Sequence, residues 1–480
     1  MYKWFVRFTL VTVIGLSCAV GASSPARAND PVPRFEPGEC PAEIARPDLE
    51  CGWLIVPEDR SDPDSSLIRL AVGTLRRGEA DNTPVVYLHG GPGAGALHKG
   101  TIDLMRYLFS SRDVIFLDQR GCGYSEPSLA CPPVENPSYG QLTEPAPDRE
   151  ALNQRYLDTL ADCRDFLTEQ GINLAAYDTA SNAADIADLR VALGYDEWHM
   201  FGVSYGTRLA LTVMRDHPEG IGQVILDSVY PLMPDKRRST MMNIPDALDT
   251  LFERCAADEL CARQHPTLAD DFFAQVERAD AQPLAVEVEP GVTYYASGDM
   301  LAKFVISMIY QGDTVPMMAK AVAELANGDL DSHKHLLANA SEKLYLDGLT
   351  YSVACREVIP FTSDEVMLAD LANVHPALRP EIEFTIRRNS SECEVWDVPP
   401  GDPIENEWVR SDIPTLVITG SLDPITPPVF AYGVAEHLTN HELYEFPDLG
   451  HGVLLRSTCA QRLASRFLDD PATLSEINCY

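Results

Sequence analysis

The stretch "FGVSYGTRLAL", residues 201–211, sets a serine between two glycines directly after an apolar run. Upstream, "EWHMFGV" reads as a short buried strand, and downstream "TRLALTVMRDH" carries a helical pattern. A strand that runs straight into a helix needs a sharp turn. Small residues on both sides of Ser204 let that turn approach its neighbours closely. Gly202-Val203-Ser204-Tyr205-Gly206 therefore fits a strained elbow that lifts a serine hydroxyl to the edge of a sheet. The helix N-terminus behind it favours developing negative charge.

The same alternation extends outward from the elbow. "PVVYLHGG" (84–91), "DVIFLDQRG" (113–121), "GQVILDSVYP" (222–231), "PTLVITGSLD" (414–423) and "ELYEFPDLGHG" (442–452) are short apolar runs that end in turns. "WLIVPE" and "IRLAVGTLRR" form an opening antiparallel pair, and amphipathic helices are predicted at about 147–170 and 180–194. The Pro-, Ser- and Glu-rich segment 124–146 reads as a long loop. Residues 232–410 break the rhythm with mostly helical patterns such as "GDMLAKFVISMIY". The expected architecture is α/β: a mostly parallel sheet with helices on both faces and a largely helical cap inserted before the last core strands. Core segments at 29–231 and 411–480 flank a cap at 232–410.

Residues 1–28 have the make-up of a secretory signal: Lys3 and Arg7, then "FTLVTVIGLSCAVGA", then "ARA". The apolar run is shorter than the roughly 20 residues a membrane-spanning helix needs, so cleavage after Ala28 and a secreted or periplasmic protein free of the membrane are expected. A net charge of −35 disfavours nucleic acid and anionic lipid surfaces as partners. Eleven cysteines follow the signal, in an export setting where disulfides persist. Sequence does not fix their connectivity. Sequential neighbours suggest Cys40–Cys51, Cys131–Cys163, Cys255–Cys261, Cys355–Cys393 and Cys459–Cys479, with Cys122 left over. No Cys/His spacing suits a metal site, and no cofactor is expected.

A serine hydroxyl becomes a nucleophile when a base takes its proton and an acid orients that base. Asp423 lies in the turn after a strand, and His451, between Gly450 and Gly452, lies in the loop after the next one. Asp448 competes as the acid but stands too close to His451 in sequence. "HGGPGAG" (89–95) follows the strand "VVYL" and can aim the Gly91 N–H at a developing oxyanion, with the Tyr205 N–H as its partner. His89 is expected to order this loop.

With "HGGPG", "DQRGCGYSEPS", "GVSYGT", "GSLDPITPP" and "GHG" in this order, the chain resembles the α/β-hydrolase serine aminopeptidases of the prolyl and tripeptidyl aminopeptidase family. "SVACREVIPF", "CEVW" and the terminal cysteines Cys459 and Cys479 are similar to the exported tripeptidyl-aminopeptidase branch. The resemblance implies a serine peptidase that acts near free N-termini of small peptides. Ser204 would be its nucleophile, His451 its base and acid, and Asp423 its orienting carboxylate. Asp118 and Arg120 would hold the turn beneath the site. The substrate's ammonium group requires a carboxylate, for which Glu357 in a Cys-Arg-Glu triplet is preferred, with Glu392 and Glu394 behind it. A carboxylesterase or lactone hydrolase with the same triad is the alternative, and a binding protein that has lost catalysis is a third reading.

Overall fold

The computed structural model describes residues 32–77, 83–312, 314–338 and 343–471 together with 474, 477 and 479. The predicted signal segment, residues 1–28, lies outside them. Nine strands form one sheet: β1 (Arg34–Gly38), β2 (Leu49–Pro57), β3 (Leu67–Leu75), β4 (Val85–Leu88), β5 (Val114–Leu117), β6 (Trp198–Val203), β7 (Ile221–Asp227), β8 (Thr415–Gly420) and β9 (His441–Phe446). Their spatial order is β1-β2-β3-β5-β4-β6-β7-β8-β9. Strands β1, β2, β3 and β5 pair antiparallel in succession, and the pairs from β5 through β4 to β9 are parallel. The two short runs 85–88 and 114–117 are buried at every position, as central parallel strands must be.

The period-2 geometry of the strands divides their side chains between two cores. Val86, Leu88, Ile115 and Leu117 face one side, where helices Thr179–Ala192, Tyr205–Asp216 and Pro428–Ala435 pack. Val85, Tyr87, Val114 and Phe116 face the other, against helices Lys99–Leu108 and Thr458–Asp469. Helices thus cover both faces.

Residues 232–410 form helices, among them Lys236–Ala257, Leu268–Ala281, Gly298–Gln311, Val315–Ala326 and Arg379–Trp396, plus one antiparallel hairpin, Leu284–Glu289 with Val292–Ala296. Most of them share a hydrophobic cluster of their own. The segment also draws in neighbours. Leu142 joins its cluster, and helix Arg149–Glu169 packs on helix Arg379–Trp396. The expected long loop at 124–146 contains a short helix, Gly140–Thr143, and a strand pair, Val134–Glu135 with Lys343–Leu344. These local elements escaped a composition-based reading because partners distant in sequence, strand Val292–Ala296 for the helix and Lys343–Leu344 for the strand, stabilise them.

All five neighbouring cysteine pairs form disulfides, and Cys122 is a buried free thiol. Cys131–Cys163 and Cys355–Cys393 lie in one cluster that joins the 124–170 region to residues 344–398. No described helix is long and apolar enough to cross a membrane.

The turn after β5 is built on buried charge. The Asp118 carboxylate accepts the N–H groups of Leu97 (2.9 Å) and Tyr124 (2.8 Å), which fixes the loops on either side of the sheet end. Arg120 is completely buried and donates to both carboxylate oxygens of Asp185 at 2.8 Å, and to the carbonyls of Glu58 (2.7 Å) and Ala176 (2.6 Å). Removing one member of such a pair strands the other charge in the interior, at a cost of about 3–5 kcal/mol. Asp185→Ala is therefore expected to lower the urea unfolding midpoint markedly, whereas Arg387→Ala, which removes an exposed helix ion pair with Glu383, shifts it little. Comparable midpoints for the two variants would contradict this account of the turn.

Candidate active site

Ser204 sits between β6 and helix Tyr205–Asp216 with φ 57° and ψ −128°, a conformation that costs a non-glycine residue about 1–3 kcal/mol. Its surroundings over-determine it. The Ser204 N–H donates to the Asp227 carbonyl (3.0 Å), and its own carbonyl accepts the N–H (2.8 Å) and hydroxyl (2.6 Å) of Thr207. The flanking glycines are required by contact distance: a methyl on Gly206 would lie 2.0 Å from the Leu88 carbonyl oxygen, and one on Gly202 would lie 2.4 Å from that of Gly206. Gly90, in the loop after β4, passes so close that a Cβ there would sit 2.9 Å from Cβ of Ser204.

Asp423 follows β8 and His451 follows β9. His451 Nδ1 lies 2.8 Å from Asp423 Oδ2, with both side chains buried. Asp423 Oδ1 accepts the N–H groups of Ile425 and Thr426 at 2.9 Å each, and Oδ2 accepts the Thr426 hydroxyl at 2.6 Å. A carboxylate held this way fixes the proton on Nδ1 and leaves Nε2 free to accept one. Tyr310 stacks on the imidazole, with ring centroids 4.8 Å apart, and its carbonyl accepts the His451 N–H at 3.2 Å. Asp448 is far from this role, since it is exposed and paired with Arg254 at 2.6 Å.

Ser204, His451 and Gly91 line one cavity of about 590 Å³, whose walls include Leu104, Met105, Leu108, Phe201 and Leu454. Tyr205 is buried. As the first residue of its helix it has an N–H with no intrahelical partner, and its hydroxyl points away to Thr179 Oγ1 at 2.8 Å. His89 lines the cavity too, and its carbonyl accepts Gln119 Nε2 at 3.1 Å, so the loop is held through its backbone.

Glu357 is not brought to this cavity. It is 1% exposed, and its carboxylate accepts the Thr179 N–H and hydroxyl (2.6 Å each) and Arg208 Nε (2.9 Å). Burial pushes its carboxyl above the usual range, and the Arg208 guanidinium opposes that shift. Its reach is taken up by holding the serine helix, which carries Arg208, against helix Gly348–Glu357. The carboxylate that does approach the glycine-rich loop is Asp347. A Cβ on Gly93 would lie 1.5 Å from Asp347 Oδ2, and the nearby Thr350 hydroxyl donates to the Pro92 carbonyl at 2.9 Å.

Asp227 escaped the reading of the sequence. Its fully buried carboxylate accepts the N–H groups of Val453 (3.0 Å) and Leu454 (2.9 Å), while Ser228 Oγ accepts that of Gly452 (2.8 Å). Burial pushes the carboxyl up to about 6 despite these two N–H bonds and the nearby His451. Asp227 thus ties the histidine loop with its side chain and the serine elbow with its carbonyl. The only hint in the sequence is an acid ending the apolar run "QVILD". Among the described residues no group of three or more His, Cys, Asp or Glu side chains is arranged to hold a metal ion.

The sequence profile of the alpha/beta hydrolase fold matches residues 83–279, and that of the TAP-like proteins matches residues 381–478. A putative hydrolase of Escherichia coli K12, YuaR, is 25% identical over 91% of this chain and 89% of its own. The tripeptidyl aminopeptidase of Streptomyces lividans is 23% identical, covering 96% and 88% respectively. The serine protease Hip1 of Mycobacterium tuberculosis is 22% identical, covering 87% and 84%. Two profile matches in chain order, on a nine-stranded sheet with helices on both faces, place the chain in the TAP-like α/β-hydrolase family, as a serine hydrolase.

Proposed function

We propose that the chain is an exported serine peptidase that cuts small peptides near a free N-terminus, with Ser204, His451 and Asp423 as its triad. One observation carries this reading: a hydrogen-bonded Asp423–His451 pair and a strained serine open onto the same cavity beneath a glycine-rich loop. His451 Nε2 takes the hydroxyl proton as Ser204 attacks the peptide carbonyl. The N–H groups of Gly91 and Tyr205 receive the oxyanion, and His451 returns the proton to the leaving amine. Water then hydrolyses the acyl-enzyme by the same route. Relatives named tripeptidyl aminopeptidase and serine protease support a peptide substrate. Five disulfides support an oxidising destination.

The apolar walls of the cavity, Leu104, Met105, Leu108 and Phe201, favour the second reading, a carboxylesterase or lactone hydrolase that accepts an apolar acyl group. Two chromogenic peptides that differ only in N-acetylation separate the two. The free-amine peptide is expected to be cut and the acetylated one spared, with Ser204→Ala reducing turnover by roughly 10⁴-fold or more. Turnover of simple esters with neither peptide cut would establish the esterase instead.

For the substrate ammonium we assign Asp347 in place of Glu357: its Oδ1 caps helix Gly348–Glu357 at the Leu349 N–H, while its Oδ2 lies against Gly93 of the glycine-rich loop, beside the cavity and not among its lining residues. Burial raises the Asp347 carboxyl to about 6. An ammonium binds the ionised form, so KM for free-amine peptides should rise as pH falls through about 6. Asp347→Asn should raise KM roughly tenfold and flatten that rise. A KM for Asp347→Asn that still climbs below pH 6 as in the wild type would remove Asp347 from this role.

A further inference from the structure

The cavity runs against the charge of the molecule. The chain carries 72 Asp and Glu residues, yet among the described residues that line the cavity the only carboxylate is Asp227, whose oxygens are taken by two backbone N–H groups and the Ser228 hydroxyl. The cation on the cavity is Arg456. It is exposed beside Leu455, and its hydrogen bonds among the described residues go to main-chain carbonyls alone: Nε to His451 O at 3.1 Å and Nη2 to Tyr310 O at 3.4 Å. A guanidinium held on one edge by carbonyls keeps N–H groups on its other edge for a planar anion, and the fork geometry matches a carboxylate. The two carbonyls belong to the catalytic histidine and to the residue stacked upon it, so the cation is set at a fixed offset from the reacting centre. In a protein of net charge −35 a free anion is repelled at long range, and a cation at the cavity mouth is the local feature that reverses this.

We propose that Arg456 binds the free α-carboxylate of a short peptide, so that the enzyme reads the far end of its substrate and selects peptides only a few residues long. This rests on the reading of Ser204 and His451 as the reacting pair. It goes beyond that reading by naming the group that sets substrate length. A merely structural Arg456, one that only steadies the His451 carbonyl, would affect peptides with and without a C-terminal charge alike.

The test titrates trialanine and its C-terminal amide into the Ser204→Ala protein by calorimetry, so that binding is measured without turnover. The acid is expected to bind about tenfold or more tighter than the amide, with the gap narrowing as salt rises. Arg456→Gln in the same background should bring the ratio close to one, and Arg456→Lys should retain part of it. Thermal melts establish that each variant is folded. Equal affinities in the Ser204→Ala protein, no binding of either peptide, or a preference that survives Arg456→Gln would each overturn the proposal. Failure of the wild-type enzyme to cleave peptides, with the binding preference intact, would sink the peptidase reading alone.

Discussion

The backbone at Ser204 is the constraint on which the rest of the site depends. A positive φ at a residue with a side chain persists only where the neighbours leave no relaxed alternative. Here those neighbours come from three parts of the chain: Gly202 and Gly206 on the elbow, Gly90 from the loop after β4, and the carbonyl of Asp227 at the end of β7. The same Asp227 reaches with its side chain into the loop of His451. Ser204 and the loop of His451 are therefore positioned by a shared residue, and the geometry of one follows that of the other.

Behind the elbow lies a second layer of buried charge. Arg208, on the serine helix, pairs with Glu357 (2.9 Å) and Glu405 (3.3 Å), each from a segment C-terminal to the helical cap elements 236–326. Lys236 lies buried over the rings of Tyr230 (3.9 Å) and Phe430 (3.7 Å), and burial together with Arg208 holds its ammonium well below its ordinary range. Charges placed this deep contribute little net stability when paired and cost several kcal/mol when one partner is lost. The Arg208–Glu357 bond is the member of this layer that ties helix Gly348–Glu357 to the serine helix.

Much of this was legible in the sequence because it is local. Apolar runs of four to seven residues that end in turns located the central strands, and the glycines around Ser204 and His451 marked close approaches. Neighbouring cysteines paired as their order suggested. The strand β1, with its Pro37 and polar residues, carries no such pattern and exists through pairing with β2. Glu357 was misplaced because its partner Arg208 is 149 residues away, and nothing in "ACREV" signals burial. Tyr310 was invisible for a different reason. It acts on His451 partly through a carbonyl, a group that every residue possesses.

That carbonyl has a consequence for how substrates get in. Gly450 lies against the end of helix Gly298–Gln311 so closely that a Cβ would stand 2.2 Å from the Ile309 carbonyl oxygen, and His451 is bonded to the next carbonyl along. Swinging this helix aside would drag His451 with it and change its register with Ser204. If the proposed triad is at work, admission and catalysis would be compatible only while the helix stays docked, and the cavity would then act as a sieve of fixed mesh.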